Sequence, residues 1–148
     1  MSAPPLFGGI MKIRLMTLDD KEFVMDIDKH VDDEKYDRRV YSKSGFIICE
    51  EGEMVGTMFH TVLWDNLPFL NFIFVLDKYR NNGIGSKAIL AWENEMRKQG
   101  YKMVLISTQV DEEAQHLYRK LGYVDCGGLI LNNTPFEQPM EMFMRKVL

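Results

Sequence analysis

The 148-residue sequence has no stretch approaching the roughly 20 consecutive apolar residues that a membrane-spanning helix needs. Its N-terminus also lacks a basic segment followed by an apolar core and a small-residue cleavage site, so the chain is expected to remain in the cytoplasm. Cysteine is scarce. Cys49 and Cys126 are too few for a disulfide framework and match no metal-ligand spacing, so both are read as reduced thiols, Cys49 buried in its apolar run, and no metal is expected. A basic excess is missing as well, since the net charge is −4, and this argues against nucleic acid as a partner. There is no internal repeat and no low-complexity segment.

What is present suits one compact domain over residues 11–148, because 46% of the residues are hydrophobic and the length can bury a core. Residues 1–10, with two prolines and two glycines, read as a tail outside that domain. The eleven methionines read as adaptable core filling. Charge is uneven along the chain. From Asp19 to Asp37 nine acids face only Lys21, Lys29 and Lys35, a net −6, which leaves +2 for the remainder of a chain at −4.

The pattern of apolar residues predicts the elements. Lys12 to Met16 reads as a strand, and Thr17 as the N-cap of an amphipathic helix marked by Phe23, Val24, Ile27 and Val31. Its polar face would carry most of the acidic run. Phe46 to Glu50 and Met54 to Leu63 flank Glu51-Gly52-Glu53 as an antiparallel hairpin. After the turn Trp64 to Pro68, the run Phe69 to Leu76 is too short for a buried helix and rich in β-formers, so it reads as a central strand. Ile84, Ala88, Trp92 and Met96 recur at helical spacing until Gly100, and Met103 to Ser107 forms the next strand. Strand, helix and strand make a right-handed βαβ unit with parallel strands. Asp111 is expected to cap a further helix carrying Ala114, Leu117, Tyr118 and Leu121 up to Gly122, and two strands, near Tyr123 to Leu131 and Met140 to Val147, close the chain. The sum is α+β with a mixed sheet.

One loop suggests chemistry. Arg80-Asn81-Asn82-Gly83-Ile84-Gly85-Ser86 follows a central strand and opens a helix, where unpaired N–H groups and the positive end of the helix dipole favour phosphate oxygens. The competing reading is a tight turn for packing strand against helix. A dinucleotide-binding fold would need a third glycine and a place on the first βα turn, and a Walker loop would need Gly-Lys-Ser/Thr, whereas Gly85 is followed by Ser86 and then Lys87.

From Val75 to Lys87 the sequence resembles the acetyl-CoA-binding motif of the GNAT N-acetyltransferase superfamily, Gln/Arg-x-x-Gly-x-Gly/Ala. Ala114-Gln115-His116-Leu117-Tyr118-Arg119-Lys120-Leu121-Gly122-Tyr123 resembles a later motif of that family, and Ile13 to Asp20 its usual opening, so the likeness covers Met11 to Leu148. It implies a largely antiparallel sheet of six to seven strands with about four helices, and central parallel strands that splay after Val75. It further implies that acetyl-CoA lays its pantetheine arm on the backbone of Ile73, Phe74 and Val75 and its pyrophosphate on Arg80, Asn81, Asn82, Gly83, Ile84, Gly85 and Ser86. Tyr118 would protonate the departing thiolate, with core packing as its plainer alternative. Asp111 stands where the family has an asparagine that touches the pantetheine.

The implied reaction is direct attack of a primary amine on the acetyl carbonyl, its oxygen polarised by an N–H near Phe74 or Val75. No carboxylate lies in the central strand between Phe69 and Leu76, where several relatives keep a glutamate base. His60, Asp65 and Glu141 are the remaining candidates for the base. The acceptor is a small-molecule or peptide amine. The acidic run, Asp32, Asp33 and Glu34 above all, would attract a cationic one, although such a run is also simply a solvated helix face. Two other readings stay open: an acyl-CoA sensor without turnover, and a protein or peptide N-acetyltransferase. The family resemblance also leaves room for a homodimer, with the loop Asn132 to Pro139 reaching a partner or the acceptor.

Overall fold

A computed structural model describes residues 10–148. The expected tail therefore lies outside the described residues, apart from Ile10. Along the chain come β1 (Met11–Leu15), α1 (Lys21–Ile27), α2 (Asp33–Tyr41), β2 (Gly45–Glu50), β3 (Glu53–Leu63), β4 (Leu67–Val75), α3 (Ile84–Lys98), β5 (Met103–Gln109), α4 (Ala114–Lys120), β6 (Val124–Leu129) and β7 (Glu141–Val147). Single 3-10 turns occupy Leu18–Asp20 and Asp77–Tyr79. The seven strands are ordered β1-β2-β3-β4-β5-β7-β6. β4 and β5 run parallel, and β1 with β2, β2 with β3, β5 with β7 and β6 with β7 run antiparallel. The expected α+β class with a mixed, largely antiparallel sheet is what the chain forms.

The described residues divide into two compact units, 10–60 with Phe72–Trp92, and Thr61–Asn71 with Glu93–Leu148. In the first, alternation along β2 sends Ile47 and Cys49 into a cluster with Met16, Val24, Val31 and Tyr36, while the neighbouring Phe46 stacks on His60, ring centres 5.9 Å apart. His60 is buried and its Nδ1 accepts a 3.0 Å hydrogen bond from Trp92 Nε1. Trp92, fully buried on α3, satisfies its one polar atom there, so its ring contributes the roughly 1.5–3 kcal/mol expected of a large apolar side chain leaving water.

The first predicted helix is in fact two. Thr17 caps a 3-10 turn in a capping box with Asp20, α1 then stops at Ile27, and the C-cap Asp28 is extended at φ −101° and ψ 97°. Val31, expected on that helix, lies in the connection and is buried all the same. Asp32 then caps α2 through a 2.8 Å bond from the Lys35 N–H. Much of the acidic run is committed to structure. Asp20 is buried against Arg14 in two bonds of 2.8 and 2.9 Å, and that guanidinium holds its carboxyl below the usual range. Asp28 is buried against Arg39 at 3.0 Å, and Asp37 pairs with Lys21 at 3.1 Å. Tyr36, buried on α2, donates a 2.6 Å bond to the Thr17 carbonyl, whereas Tyr41 is exposed.

In the second unit β5 pairs with β7 over seven residues, from Met103↔Val147 to Gln109↔Glu141. β4 meets β5 in only two pairs, Phe69↔Leu105 and Leu70↔Ile106, so the parallel register ends before Val75, the point at which the resemblance had it part. β4 continues as a strand for five residues beyond Leu70. Buried Glu93 accepts from the Tyr123 hydroxyl at 2.9 Å and from Lys146 Nζ at 2.7 Å, which matches its charge inside the fold. α3 and α4 end at Gly100 and Gly122 as the sequence indicates. Tyr101 N–H bonds the Met96 carbonyl and Tyr123 N–H the Tyr118 carbonyl, each at 3.1 Å, the pairing of a Schellman cap.

Candidate active site

The glycine loop is built from a strand end, a tight turn and a helix start. Past Val75 the chain makes its 3-10 turn, and Arg80 is tied down by Nε to the Val75 carbonyl at 2.8 Å and by Nη1 to Asp77 at 2.8 Å. Its guanidinium lies over the Phe74 ring, 4.7 Å from the centroid. Asn81 and Gly83 take left-handed backbone, φ 65° and 75°, a conformation that costs glycine nothing and asparagine little. The Gly83 carbonyl accepts from the Lys87 N–H at 3.1 Å. The N–H groups of Ile84, Gly85 and Ser86 therefore open the helix without intrahelical partners.

Ile84 shows how the loop divides its work. Its side chain is buried with Ala88, Ile89 and Trp92 on α3, which leaves the backbone amide for another use. A Cβ built on Gly83 or on Gly85 meets no protein atom within 4 Å. Packing of strand against helix, the competing explanation of the glycines, is thereby removed for Gly85. A glycine inside a helix costs about 1 kcal/mol relative to alanine, and nothing of this protein occupies the space it opens. The cradle fits a phosphate approaching the main chain.

The family profile described as "Acetyltransferase (GNAT) family" matches residues 13–123. The chain belongs to the GNAT acetyltransferase family. By family it is an acyltransferase that draws on acetyl-CoA. Among curated proteins none matches the sequence. Similar solved structures include the ribosomal-protein-S18-alanine N-acetyltransferase of Escherichia coli, at TM-score 0.77 and 17% identity over 93% of this chain and 94% of that one. A GNAT family acetyltransferase from Elizabethkingia anophelis with acetyl-CoA bound aligns at TM-score 0.73 and 19% identity, covering 93% and 98%. Spermidine/spermine N-acetyltransferase from Vibrio cholerae aligns at 0.76 and 13%, covering 93% and 92%. At such identities the likeness establishes the fold alone.

Tyr118 of this acetyltransferase sits on α4 with 8% of its surface exposed, its ring 6.3 Å from that of Tyr123. Burial, reinforced by the Glu112 and Glu141 carboxylates, pushes its phenol up to about 12, so the hydroxyl carries its proton at neutral pH. Asp111 does not cap α4. The chain first closes a turn in which Glu112 N–H bonds the Gln109 carbonyl and the Glu112 carboxylate takes the Gln109 N–H, both at 3.0 Å. The helix then begins only at Ala114, with Glu113 as an N-cap that makes no side-chain bond, and Asp111 is exposed.

The three base candidates separate clearly. Burial pushes the His60 imidazole down to about 4, and its Nδ1 is occupied by Trp92, so this residue belongs to the core. Asp65 is exposed in the turn before β4, at the opposite end of that strand from Ile73 to Val75. Glu141 accepts from the Ser107 hydroxyl at 2.6 Å and from Gln138 at 2.9 Å, and its charge is felt at Tyr118. Among the described residues no three His, Cys, Asp or Glu side chains gather as metal ligands, and no helix is long and apolar enough to cross a membrane.

Sequence reasoning passed over a row of rings in the first unit. Phe59 and Phe72 stand with centroids 6.4 Å apart, Phe72 and Phe74 are stacked at 6.4 Å with their planes 4° apart, and all three are half-buried. Arg39 lies over Phe59 at 3.5 Å from the ring centre. The alternation of Phe72 and Phe74 along β4 was the available signal, because period two places both on one face.

Proposed function

We propose that this enzyme moves the acetyl group of acetyl-CoA onto a primary amine by direct attack. The backbone from Asn81 to Ser86 receives the donor's pyrophosphate, with Arg80 fixing the start of the loop, and the β4 backbone at Ile73, Phe74 and Val75 pairs with the pantetheine arm. Gly85 carries the reading: it is a helical glycine at a cost in stability, opening space that no protein atom uses. The neutral amine forms the new N–C bond as the C–S bond breaks, and the amine's surplus proton passes to solvent.

The sulfur leaves as a thiolate, and Tyr118 is the group that stabilises it. With a phenol near 12 against a thiol near 8.5, the proton stays with oxygen, so the contribution is a hydrogen bond to the developing negative charge rather than completed transfer. Asp111, exposed and free of capping duty, is the remaining side chain assigned to the donor.

Gly85→Ala tests the cradle because its two effects have opposite signs. Alanine should raise fold stability by about 1 kcal/mol, read as a higher Tm. The same methyl should weaken acetyl-CoA binding roughly tenfold or more, measured by calorimetry, because it fills the space the phosphate oxygens need. Unchanged affinity alongside the raised Tm would remove the loop from donor binding.

A further inference from the structure

The turn that joins β3 to β4 is made of residues that resist it. The Asn66 N–H closes it on the Leu63 carbonyl at 3.0 Å, and both central residues take left-handed backbone, Trp64 at φ 54° and Asp65 at φ 61°. Two positive angles make a type I′ turn, which asparagine and glycine favour. A bulky side chain in that place is an outlier, and such outliers gather at sites that make use of them. Trp64 is also 82% exposed, so its ring gains little from the core in return. It forms one wall of a cavity of about 440 Å³, completed by Asn66, Leu67, Tyr101, Lys102 and Met103 around the starts of β4 and β5. That volume suits a small organic ligand.

The charge left in the lining has one sign. No carboxylate lines the cavity. The backbone acceptors beside it are taken, the Arg97 and Met96 carbonyls by the N–H groups of Gly100 and Tyr101, and the Lys102 carbonyl by that of Leu148. Lys102 is exposed, and it enters none of the ion pairs among the described residues. We propose that the cavity binds a planar aromatic carboxylate, with its ring on Trp64 among the apolar walls of Leu67 and Met103 and its carboxylate on Lys102 Nζ. A cationic ligand would meet Lys102 with like charge. A saturated acid of the same frame would forgo stacking on the indole face. Every lining residue lies in the second unit and none is assigned to the donor, so this site stands or falls apart from the acetyl-transfer reading.

The probe is 2-naphthoate, titrated into the nitrogen-labelled protein in the presence of saturating coenzyme A, which keeps the acid from the proposed cradle, and followed by two-dimensional NMR. The chain has two tryptophans, so Trp64→Asn assigns both indole resonances by deleting one. The Trp64 indole and the Gly100 amide should shift together with a Kd below about 1 mM, while the indole of the fully buried Trp92 stays in place. Neutral 2-naphthamide, and naphthoate on Lys102→Gln, should each bind about three- to tenfold more weakly, the range of one exposed ion pair. Decahydro-2-naphthoate, which keeps the carbon frame but is not flat, should lose about as much. Trp64→Asn should weaken naphthoate at least roughly tenfold while raising Tm by about 2–4 °C, because asparagine accepts a positive φ. If that variant fails to fold, Lys102→Gln and the two altered ligands decide. No shift at Trp64 up to that concentration, equal binding of the amide or the saturated acid, or undiminished affinity in either folded variant would overturn the proposal.

Discussion

Tyr118→Phe is expected to lower kcat about 100- to 1,000-fold, the usual loss when one donor to a developing anion is removed. Affinity for acetyl-CoA should barely change. The hydroxyl has little to do while sulfur is still acylated and acts fully only as the C–S bond gives way, so its loss belongs to kcat rather than to binding. The substitution is mild, because the ring and its packing near Tyr123 are kept, and Tm measured on both proteins separates chemistry from folding. A merely structural tyrosine would move Tm and leave kcat within a few-fold. Burial already holds the phenol near 12, so the dependence on Tyr118 should show no break in the wild-type pH profile between 6 and 9.

A second large effect concerns stability against pH. Burial holds His60 neutral in the fold down to about 4, against an ordinary 6.5, so between those values the unfolded chain binds a proton that the folded chain refuses. Its contribution is fully present above 6.5 and is lost as pH falls towards 4, amounting to about 3 kcal/mol over the window. Urea unfolding at half-unit steps should show this decline. His60→Gln, which keeps an acceptor for Trp92 and cannot titrate, should flatten it. Parallel curves for the two proteins would contradict the assignment. The Asp20 pair with Arg14 does not confuse the comparison, since a carboxyl held low loses its contribution only as pH falls below the ordinary value of 3.8.

Much of the fold was legible because its signals are local. The glycines after α3 and α4, the hairpin at Glu51-Gly52 and the apolar β4 run all act within a few residues of themselves. The helix break at Asp28 was not. Val31 keeps helical spacing with Ile27 and is buried as that spacing demands, but Asp28 and Asp32 prefer the ends of helices, and the charged stretch of α2 has too few apolar residues to declare a face. Its caps were readable in hindsight: Asp32 with Asp33 and Glu34 at one end, Arg38 and Arg39 at the other.

At the site, the geometry of the loop could be read because it lies in the backbone and therefore in glycine spacing. The roles of Arg39 and His60 could not, since each depends on a partner far along the chain, Asp28 and Phe59 for the one and Trp92 for the other. Asp111 misled for a related reason. Nothing nearby in sequence announces that Glu112 turns back to the Gln109 N–H and delays the helix.

We propose that the glycine cradle of this GNAT enzyme serves acetyl transfer to an amine. The most direct measurement follows free thiol and N-acetyl product together, over time, with acetyl-CoA and a set of primary amines. Both should appear in equal amounts and only when amine is present. Acetyl-CoA bound tightly, with no thiol released at any amine concentration, would mean a sensor of acyl-CoA and would contradict it.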